Sequence, residues 1–354
     1  MRRWLLVIVV LALALWAGWT YELRRTVYSS QEPLTLTVEP GTSVRRIGQQ
    51  LHQMGLVRHP DLFRALVLVR GTGGRLKAGE YALSGRVTLE GIASKLARGD
   101  VVRRVVTFPE GSDLEAMAQQ AATQGIAPAA FLEAARNASL VADLDPAARD
   151  LEGYLFPDTY DVTRRPDAAA VLVRRMVQRF RDVITPELPA IKAGGSGVRE
   201  VVTLASVVEL ETALPAERPR VAAVFRNRLR KGIPLATDPT IIYALRKAGR
   251  WDGNIRRPDL DIDSPYNTYR RAGLPPGPIA SPGRESLEAA LHPAETGDLY
   301  FVSRNDGSHH FSRTFAEHQQ AVTYYQRRRG APPPGAPATA PSPSPRSLPR
   351  PGGP

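Results

Sequence analysis

The chain of 354 residues contains no cysteine, only four methionines, and few aromatic residues, which make up 7% of the sequence. The absence of cysteine excludes disulfide bonds, thiolate metal sites, a cysteine nucleophile and a lipid-modified cysteine. Scarce aromatic residues disfavour a protein built to stack nucleic-acid bases. Hydrophobic residues still make up 43% of the chain, which excludes a wholly disordered protein. The length predicts more than one folded unit.

Charged residues are absent from a segment near the N-terminus. Residues 4–19 read WLLVIVVLALALWAGW and, with the two residues that follow, reach the length that crosses a bilayer as a helix. Trp16, Trp19 and Tyr21 cluster at the far end, where amphipathic rings favour the membrane interface. No clean cleavage motif follows, so the sequence predicts an uncleaved transmembrane anchor at residues 1–24. Two arginines flank each end, so the positive-inside rule does not set its orientation, but an anchor before one long domain places the bulk outside the cytoplasm.

Basic residues outnumber acidic ones, 47 against 35, and give a formal net charge of +12. A charge of this size is typical of nucleic-acid-binding proteins. Behind a membrane anchor, however, anionic envelope polymers or lipid head groups are the expected partners, and we expect no nucleic acid. Part of the charge lies at residues 329–354, a tail rich in Pro, Ala, Ser and Gly that we predict to be disordered.

A short repeat aligns residues 39–56 with residues 109–126. Each copy has an extended segment, a glycine turn, a capping pair, a helix with apolar positions three to four apart, and a glycine stop. Strands are predicted near the first copy at 34–38, 79–83 and 101–108, and Thr88 is predicted to cap a helix at 89–97 that Gly99 ends.

These elements predict an α+β fold class, with a small module at residues 33–105 and a larger catalytic domain at residues 106–328. The module resembles the LysM-like domains that bind peptidoglycan glycan. A spacer that only lifts the next domain off the membrane is an equally good interpretation at the level of fold.

The most informative carboxylates occur in VVELET, near the end of a helix predicted from residue 199. Glu211 continues the apolar face formed by Leu204, Val207 and Val208. Glu209 lies about 200° around the helix from Glu211, so the two carboxylates cannot face one cleft. We therefore expect only Glu211 to be the buried acid, with a raised pKa that suits a general acid. Taken alone, an exposed glutamate at a frayed helix end is the commoner arrangement.

The segment EGYLFPDTY at residues 152–160 interrupts a mainly helical region. Pro157 forbids a regular central strand or helix there. Its acidic and aromatic groups suit a sugar-binding wall, and an ordered turn held by Asp158 is an equal alternative. The six histidines show no metal-ligand spacing and Ser206 lacks a nucleophile elbow, so we expect neither a metal site nor a serine hydrolase.

Three further segments, at residues 235–245, 264–293 and 299–322, are rich in Pro, Gly, Asn and Tyr. Together with VVELET, and in the same order, they resemble the YceG-like family of endolytic murein transglycosylases. The resemblance covers the chain from the anchor to about Tyr325. The sequence departs from the family pattern at Ala236, where glutamine is usual, and at Gln319, where asparagine often follows the histidine.

The resemblance implies that Glu211 is the catalytic acid. It also implies cleft-lining or substrate-binding roles for a set of residues in the three segments and beside them. These are Glu217, Asp238, Pro239, Thr240, Tyr266, Asn267, Tyr269 and His309 or His310.

The activity implied is lytic: Glu211 first protonates the oxygen between N-acetylmuramic acid and N-acetylglucosamine, then accepts the proton of the muramyl C6 hydroxyl. No metal or cofactor is expected. The partners implied are peptidoglycan strands and the inner membrane, with penicillin-binding synthases as further candidates, and the catalytic domain is expected on the outer face. A muramidase-type hydrolase with Asp238 or Asp158 as second carboxylate, and a non-catalytic scaffold, remain as alternatives.

Overall fold

The computed structural model describes residues 2–102, 104–162, 166–327 and 331–335. The predicted disordered tail at 329–354 lies outside the described residues except for 331–335. The chain forms two compact units, and each is built from three separate segments of the sequence. Unit 1 comprises Met1–Thr107, Ala118–Ala134 and Thr159–Val173, and unit 2 comprises Phe108–Met117, Ala135–Asp158 and Arg174–Pro354.

Unit 1 contains the N-terminal helix and a small α+β module. Its elements are α1 Arg2–Arg24, β1 Thr26–Val38, α2 Val44–Gln53, α3 Pro60–Val69, β2 Gly79–Thr88, α4 Leu89–Arg98, β3 Arg104–Thr107, most of α6 Pro128–Ala135, and β4 Thr159–Val162. The chain passes between the units within α5 Leu114–Ala122 and α7 Ala168–Ile184.

Helix α1 is long and apolar enough to cross a membrane. The stretch Leu6–Arg24 has a mean hydropathy of 1.9, and among the described residues no other helix meets the same criterion. The predicted helix is therefore present, and an anchor or a signal sequence would both have this form.

The module is built on an antiparallel pair of strands. In the β1 and β2 pair, Thr26 lies opposite Thr88 and Val38 lies opposite Gly79. The predicted cap of α4 is confirmed: the Thr88 hydroxyl accepts a hydrogen bond from Gly91 N at 3.0 Å, and Gly99 ends the helix in the left-handed conformation. Apolar side chains of α2, α3 and α4 cover the pair and form one core.

Both copies of the repeat form the predicted turn and helix. Gly41 and Gly111 have φ of +81° and +77°, which favours glycine over other residues. The helix α2 begins after Ser43, whose hydroxyl accepts from Arg46 N. In the second copy Asp113 accepts from Ala116 N at 2.8 Å at the start of α5. The repeat therefore reflects one local device used twice.

Unit 2 is mainly helical. Beyond the parts of α5 and α7 that it holds, its elements are α8 Leu188–Ala193, α9 Val198–Glu211, α10 Arg218–Arg230, α11 Asp238–Lys247, α12 Arg284–Leu291, β5 Tyr300–Ser303, β6 His309–Ser312 and α13 Phe315–Tyr325. Helix α9 packs against α10, α11 and α12, and its residues 201–208 are all buried. A helix apolar on every side belongs in a core, so α9 is the central helix of this unit.

The loop at residues 152–158 packs directly onto α9. Gly153 has φ of +82°, and a Cβ at this position would lie 2.4 Å from Pro278 and 3.1 Å from Val202. Only glycine fits there, which explains why this segment carries a glycine beside its aromatic residues.

One predicted strand needs correction, and some local elements were not predicted. The strand expected at 101–108 is confined to Arg104–Thr107 in the described part of the chain, paired with β4, which the sequence did not predict. Pro215 begins a short 3₁₀ turn, Pro215–Glu217, and α10 itself begins at Arg218. The mixture of helices and antiparallel strands agrees with the predicted α+β class.

Candidate active site

Glu211 is the last residue of α9, where the buried helix reaches the surface. Val207 and Val208, one turn earlier on the same face, have no exposed surface, whereas Glu211 is half-buried. The carboxyl therefore lies where the buried part of α9 gives way to the protein surface. This is the position that the helical-face argument predicts.

The pKa of Glu211 is raised from its ordinary value. Burial is the largest cause, and the negative charge of Asp238 acts in the same direction. A hydrogen bond from the Thr237 hydroxyl to Glu211 Oε2 favours the ionised form and opposes this shift, as do the nearby groups of His309 and Arg228. The net shift of the Glu211 pKa is upward, which is the direction that a general acid requires.

Asp238 and Tyr269 form the second polar feature of the site. The Tyr269 hydroxyl donates to Asp238 Oδ1 at 2.5 Å. Burial and this hydrogen bond raise the pKa of Tyr269, and the charge of Glu211 contributes in the same direction. Both residues are exposed, and each lies close enough to Glu211 to interact with it electrostatically.

Glu217 and His309 are joined by two hydrogen bonds. Glu217 Oε1 accepts from His309 N at 2.8 Å, and Glu217 Oε2 lies 2.7 Å from His309 Nδ1. Both side chains are mostly buried, at 16% and 14% exposed. The pair ties the start of α10 to β6 and brings the imidazole close enough to Glu211 to affect its pKa.

Arg228 completes the cluster from α10. Its guanidinium donates to the carbonyl oxygens of Leu299 and Leu235 at 2.6 and 2.7 Å and lies over the Tyr300 ring at 5.1 Å. Burial lowers the pKa of Arg228, while the charge of Glu211 raises it. A fixed cation therefore lies near the candidate acid.

The expectation that only one carboxylate of VVELET is buried is wrong. The Glu209 side chain is 5% exposed; its oxygens bind Arg218 and Gly283 N, each at 2.9 Å. The two glutamates do point in different directions, as the helix geometry requires. Glu209 is buried because an arginine accompanies it, which the periodicity of α9 does not reveal.

Two predicted substrate-binding residues lie in the interior. Thr240 has no exposed surface, and its hydroxyl bonds to Thr237 O at 2.7 Å and to the Thr268 hydroxyl at 2.8 Å. Asn267 also has none; its amide donates to two carbonyl oxygens and its oxygen accepts from Tyr269 N at 3.0 Å. Direct contact with a substrate does not fit this geometry. Both residues hold the loops that carry Thr237 and Tyr269.

Tyr266 belongs to a different cluster. Its ring lies 4.8 Å from that of Tyr243, whose hydroxyl donates to Glu152 Oε2 at 3.2 Å. Burial raises the pKa of Glu152 to about 8, with the charges of Asp113 and Asp150 as further causes. Asp158 accepts from Arg179 at 2.9 Å, an ion pair open to solvent. None of these groups is among the causes that shift the pKa of Glu211.

Sequence reasoning missed two residues of the cluster, Thr237 and Arg228. Arg228 lies three and four residues after the buried Phe225 and Val224. That spacing places it on the inner face of α10 and was the available signal. Thr237 follows Ala236, which has φ of +47°. No pattern in the sequence predicts that the chain turns there and directs a hydroxyl at Glu211.

Comparison with known proteins agrees with this arrangement of elements. Residues 36–324 match the YceG-like family. The chain belongs to the YceG-like family. An endolytic murein transglycosylase of Bacillus subtilis is 32% identical over 312 residues, covering 84% of this chain and 86% of that protein.

Two further relatives of this YceG-like protein are informative. An endolytic murein transglycosylase of Streptococcus pneumoniae is 30% identical over 83% of the chain, and the match spans 58% of that longer protein. A crystal structure of a YceG-like protein from Listeria monocytogenes matches with a TM-score of 0.57 and 31% identity. That match covers 82% of this chain and 99% of the Listeria chain.

Among the described residues there is no group of three or more His, Asp or Glu side chains placed to hold a metal ion. The site has one candidate acid, Glu211, with the hydroxyl donor Thr237 and the surrounding groups already described. This arrangement suits proton transfer to and from a bound polymer.

Proposed function

We propose that this YceG-like protein is an endolytic peptidoglycan lytic transglycosylase with Glu211 as its acid and then its base. The observation that carries the proposal is the half-buried Glu211 carboxyl at the end of α9, with a pKa raised by burial and by Asp238. The names of the Bacillus and Streptococcus relatives support the substrate class.

In the first step the Glu211 carboxyl protonates the oxygen that links C1 of N-acetylmuramic acid to N-acetylglucosamine. The bond between C1 and that oxygen breaks, and the N-acetylglucosamine side leaves as an alcohol. Glu211 becomes a carboxylate, which the Thr237 hydroxyl and the nearby Arg228 cation stabilise. Thr237 and Arg228 therefore favour the ionised form of Glu211 that remains after the proton transfer.

In the second step the Glu211 carboxylate accepts the proton of the muramyl C6 hydroxyl while that oxygen attacks C1. The product is a 1,6-anhydromuramyl end, no water is consumed, and Glu211 is protonated again. One carboxyl serves both steps, so no second carboxylate is needed.

The remaining site residues are proposed to hold the glycan. Tyr269 and Asp238 are exposed beside Glu211 and offer a hydroxyl and a carboxylate to the sugar. Glu217 holds His309 in place near Glu211 by two hydrogen bonds. Thr240 and Asn267 act as positioning residues behind this wall. Tyr266, which is half-buried, would contribute only at a more distant subsite.

A hydrolase is the second candidate function, because Asp238 lies close enough for its charge to raise the pKa of Glu211. Asp238 could then activate water or act as a nucleophile. Asp158 suits this role less well, since Arg179 neutralises it.

Digestion of polymeric peptidoglycan in water enriched in ¹⁸O separates the two chemistries. The lyase gives new muramyl ends without label, lighter by one water. A hydrolase gives reducing ends that carry ¹⁸O, and that result would refute the proposed reaction.

We further propose that α1 anchors the protein in the bacterial inner membrane by a single span, with the rest outside the cytoplasm. Its length and hydropathy support this placement. The module at 33–105 is proposed to be LysM-like and to bind glycan, the domain at 106–328 to carry the chemistry, and the tail from 329 to stay disordered. Penicillin-binding synthases are proposed partners, since cuts within new strands would set strand length. A non-catalytic scaffold is the alternative that a Glu211 substitution excludes.

A further inference from the structure

The end of α1 is packed into the module of unit 1. Leu23 belongs to the module core, and Trp19 packs against that core. Trp19 lies five residues before Arg24, which is about 8 Å along a helix. The module therefore packs alongside the end of α1 as far as Trp19, which belongs to the aromatic cluster Trp16, Trp19 and Tyr21. Such residues mark the head-group layer when a helix spans a bilayer.

Salt bridges connect the end of α1 to α3 and α4. Glu90, in the first turn of α4, pairs with Arg70, just after α3, and lies 4.0 Å from Arg24. Glu22 pairs with Arg25 at 2.6 Å and with Arg58 at 3.2 Å. This edge of the module therefore holds four arginines on two carboxylates and keeps an excess of positive charge, which suits anionic lipid head groups.

The last turn of α3, directly before Arg70, exposes two large apolar side chains. Leu68 and Val69 are 79% and 74% exposed. The preceding pair, Leu66 and Val67, is buried in the module core. The last turn of α3 thus carries apolar side chains on both its buried and its exposed face. Such a pattern indicates that an apolar partner covers the exposed face.

The opposite end of the module lies far from α1. Thr26 and Thr88 pair next to α1, whereas Val38 and Gly79 pair at the other end of β2, which ten residues place about 30 Å away. Arg104 forms an ion pair with Glu80 at that distal end. Val105, next to Arg104, is 53% exposed and provides a matched apolar position away from α1.

We propose that Leu68 and Val69 insert into the head-group region of the membrane in which α1 is anchored, with Arg58 and Arg70 on anionic lipids. The bilayer is the occupant of this surface because the surface continues the end of the spanning helix and carries complementary charge. The inference rests on the membrane anchoring proposed above. Its consequence is that the module lies against the membrane instead of swinging freely on the anchor.

The lack of cysteine in the chain allows a direct test. Three full-length variants, Leu68→Cys, Val105→Cys and Leu13→Cys, are labelled with an environment-sensitive nitrobenzoxadiazole dye. Each is reconstituted in vesicles of phosphatidylglycerol and phosphatidylcholine with or without spin-labelled lipid quenchers. The Leu13 variant reports whether α1 enters the bilayer.

The expected result is a blue-shifted emission and strong lipid quenching at position 68, with emission as in water at position 105. Equal, water-like emission at 68 and 105, together with quenching at 13, would overturn the inference while leaving the anchor intact. A shielded label at 68 that lipid quenchers do not reach would point to a protein partner and would also overturn it. Absence of quenching at 13 would refute the anchoring itself.

Discussion

The hydroxyl of Thr237 donates a hydrogen bond to Oε2 of Glu211. This bond favours the ionised carboxyl, so it limits the rise in the pKa of Glu211 that burial and Asp238 produce. A general acid acts only while protonated, so activity falls as the pH rises through the pKa of Glu211. In a plot of kcat/KM against pH, the position of this descending limb therefore reports how its surroundings shift the pKa of Glu211.

Replacing Thr237 with valine keeps the shape and removes the hydrogen bond. We expect the pKa of Glu211 to rise and the descending limb of kcat/KM to move to higher pH by about one unit, the size expected for one hydrogen bond to a charged group. Thr203→Val is the matched control. Thr203 is buried on α9, the helix that carries Glu211, and its hydroxyl has no partner in the described part of the chain. A shift of equal size in both variants, or none in Thr237→Val, would contradict the assignment.

The substitution Asp238→Asn acts in the opposite direction. Removing the negative charge lowers the pKa of Glu211, so the descending limb should move to lower pH while substantial activity remains. If Asp238 were instead the nucleophile or base of a hydrolase, the variant would lose activity at every pH. A pH–rate profile of the variant on polymeric peptidoglycan distinguishes these results.

We expect the buried ion pair between Glu209 and Arg218 to stabilise the folded protein. Both side chains are nearly fully buried, at 5% and 7% exposed. Arg218→Met leaves Glu209 without its cation, and we expect a loss of about 3 kcal/mol in the free energy of unfolding. Arg179→Met breaks the solvent-exposed pair with Asp158 and should cost less than about 1 kcal/mol. Chemical denaturation of both variants tests this; equal losses would contradict it.

Glu152 makes the stability depend on pH. Its pKa is about 8 in the folded protein and near 4.5 when exposed, so the folded state binds the additional proton between these values. Stability from this group is present below pH 4.5 and is lost as the pH rises towards 8, by roughly 3 kcal/mol at pH 7.

The substitution Glu152→Gln should remove this loss, so the difference in unfolding free energy between variant and wild type grows as the pH rises from 5 to 8. Glu115→Gln, at an exposed position on α5, is the control and should leave the difference flat. Thermal unfolding across that pH range measures both. A parallel dependence in all three proteins would contradict the buried, protonated state of Glu152.

Local sequence signals predicted much of the fold. Thr88 and Gly99 bound α4 as expected, and the helix expected from residue 199 is present as α9 with Glu211 at its end, because caps and helical periodicity are properties of neighbouring residues. Strand β4 was missed because its four residues gain their structure from pairing with β3, more than fifty residues earlier in the chain.

The candidate site was predictable only where one side chain decides its own position. The burial of Glu209 depends on Arg218, and the proton affinity of Glu211 depends on Thr237 and Asp238, which follow more than twenty residues later. The interior positions of Thr240 and Asn267 arise from loop hydrogen bonds that spacing does not encode. Such relationships are tertiary, and they require the folded chain to be known.

The most direct test compares Glu211→Gln with Glu200→Gln on polymeric peptidoglycan. Glu200 lies in the first turn of the same helix, eleven residues or about 16 Å from Glu211. New ends are identified by mass spectrometry after both variants have been shown to be folded. We expect 1,6-anhydromuramyl ends to fall by about 10²-fold or more in Glu211→Gln and to persist in Glu200→Gln. Anhydromuramyl ends formed at an undiminished rate by Glu211→Gln would contradict it.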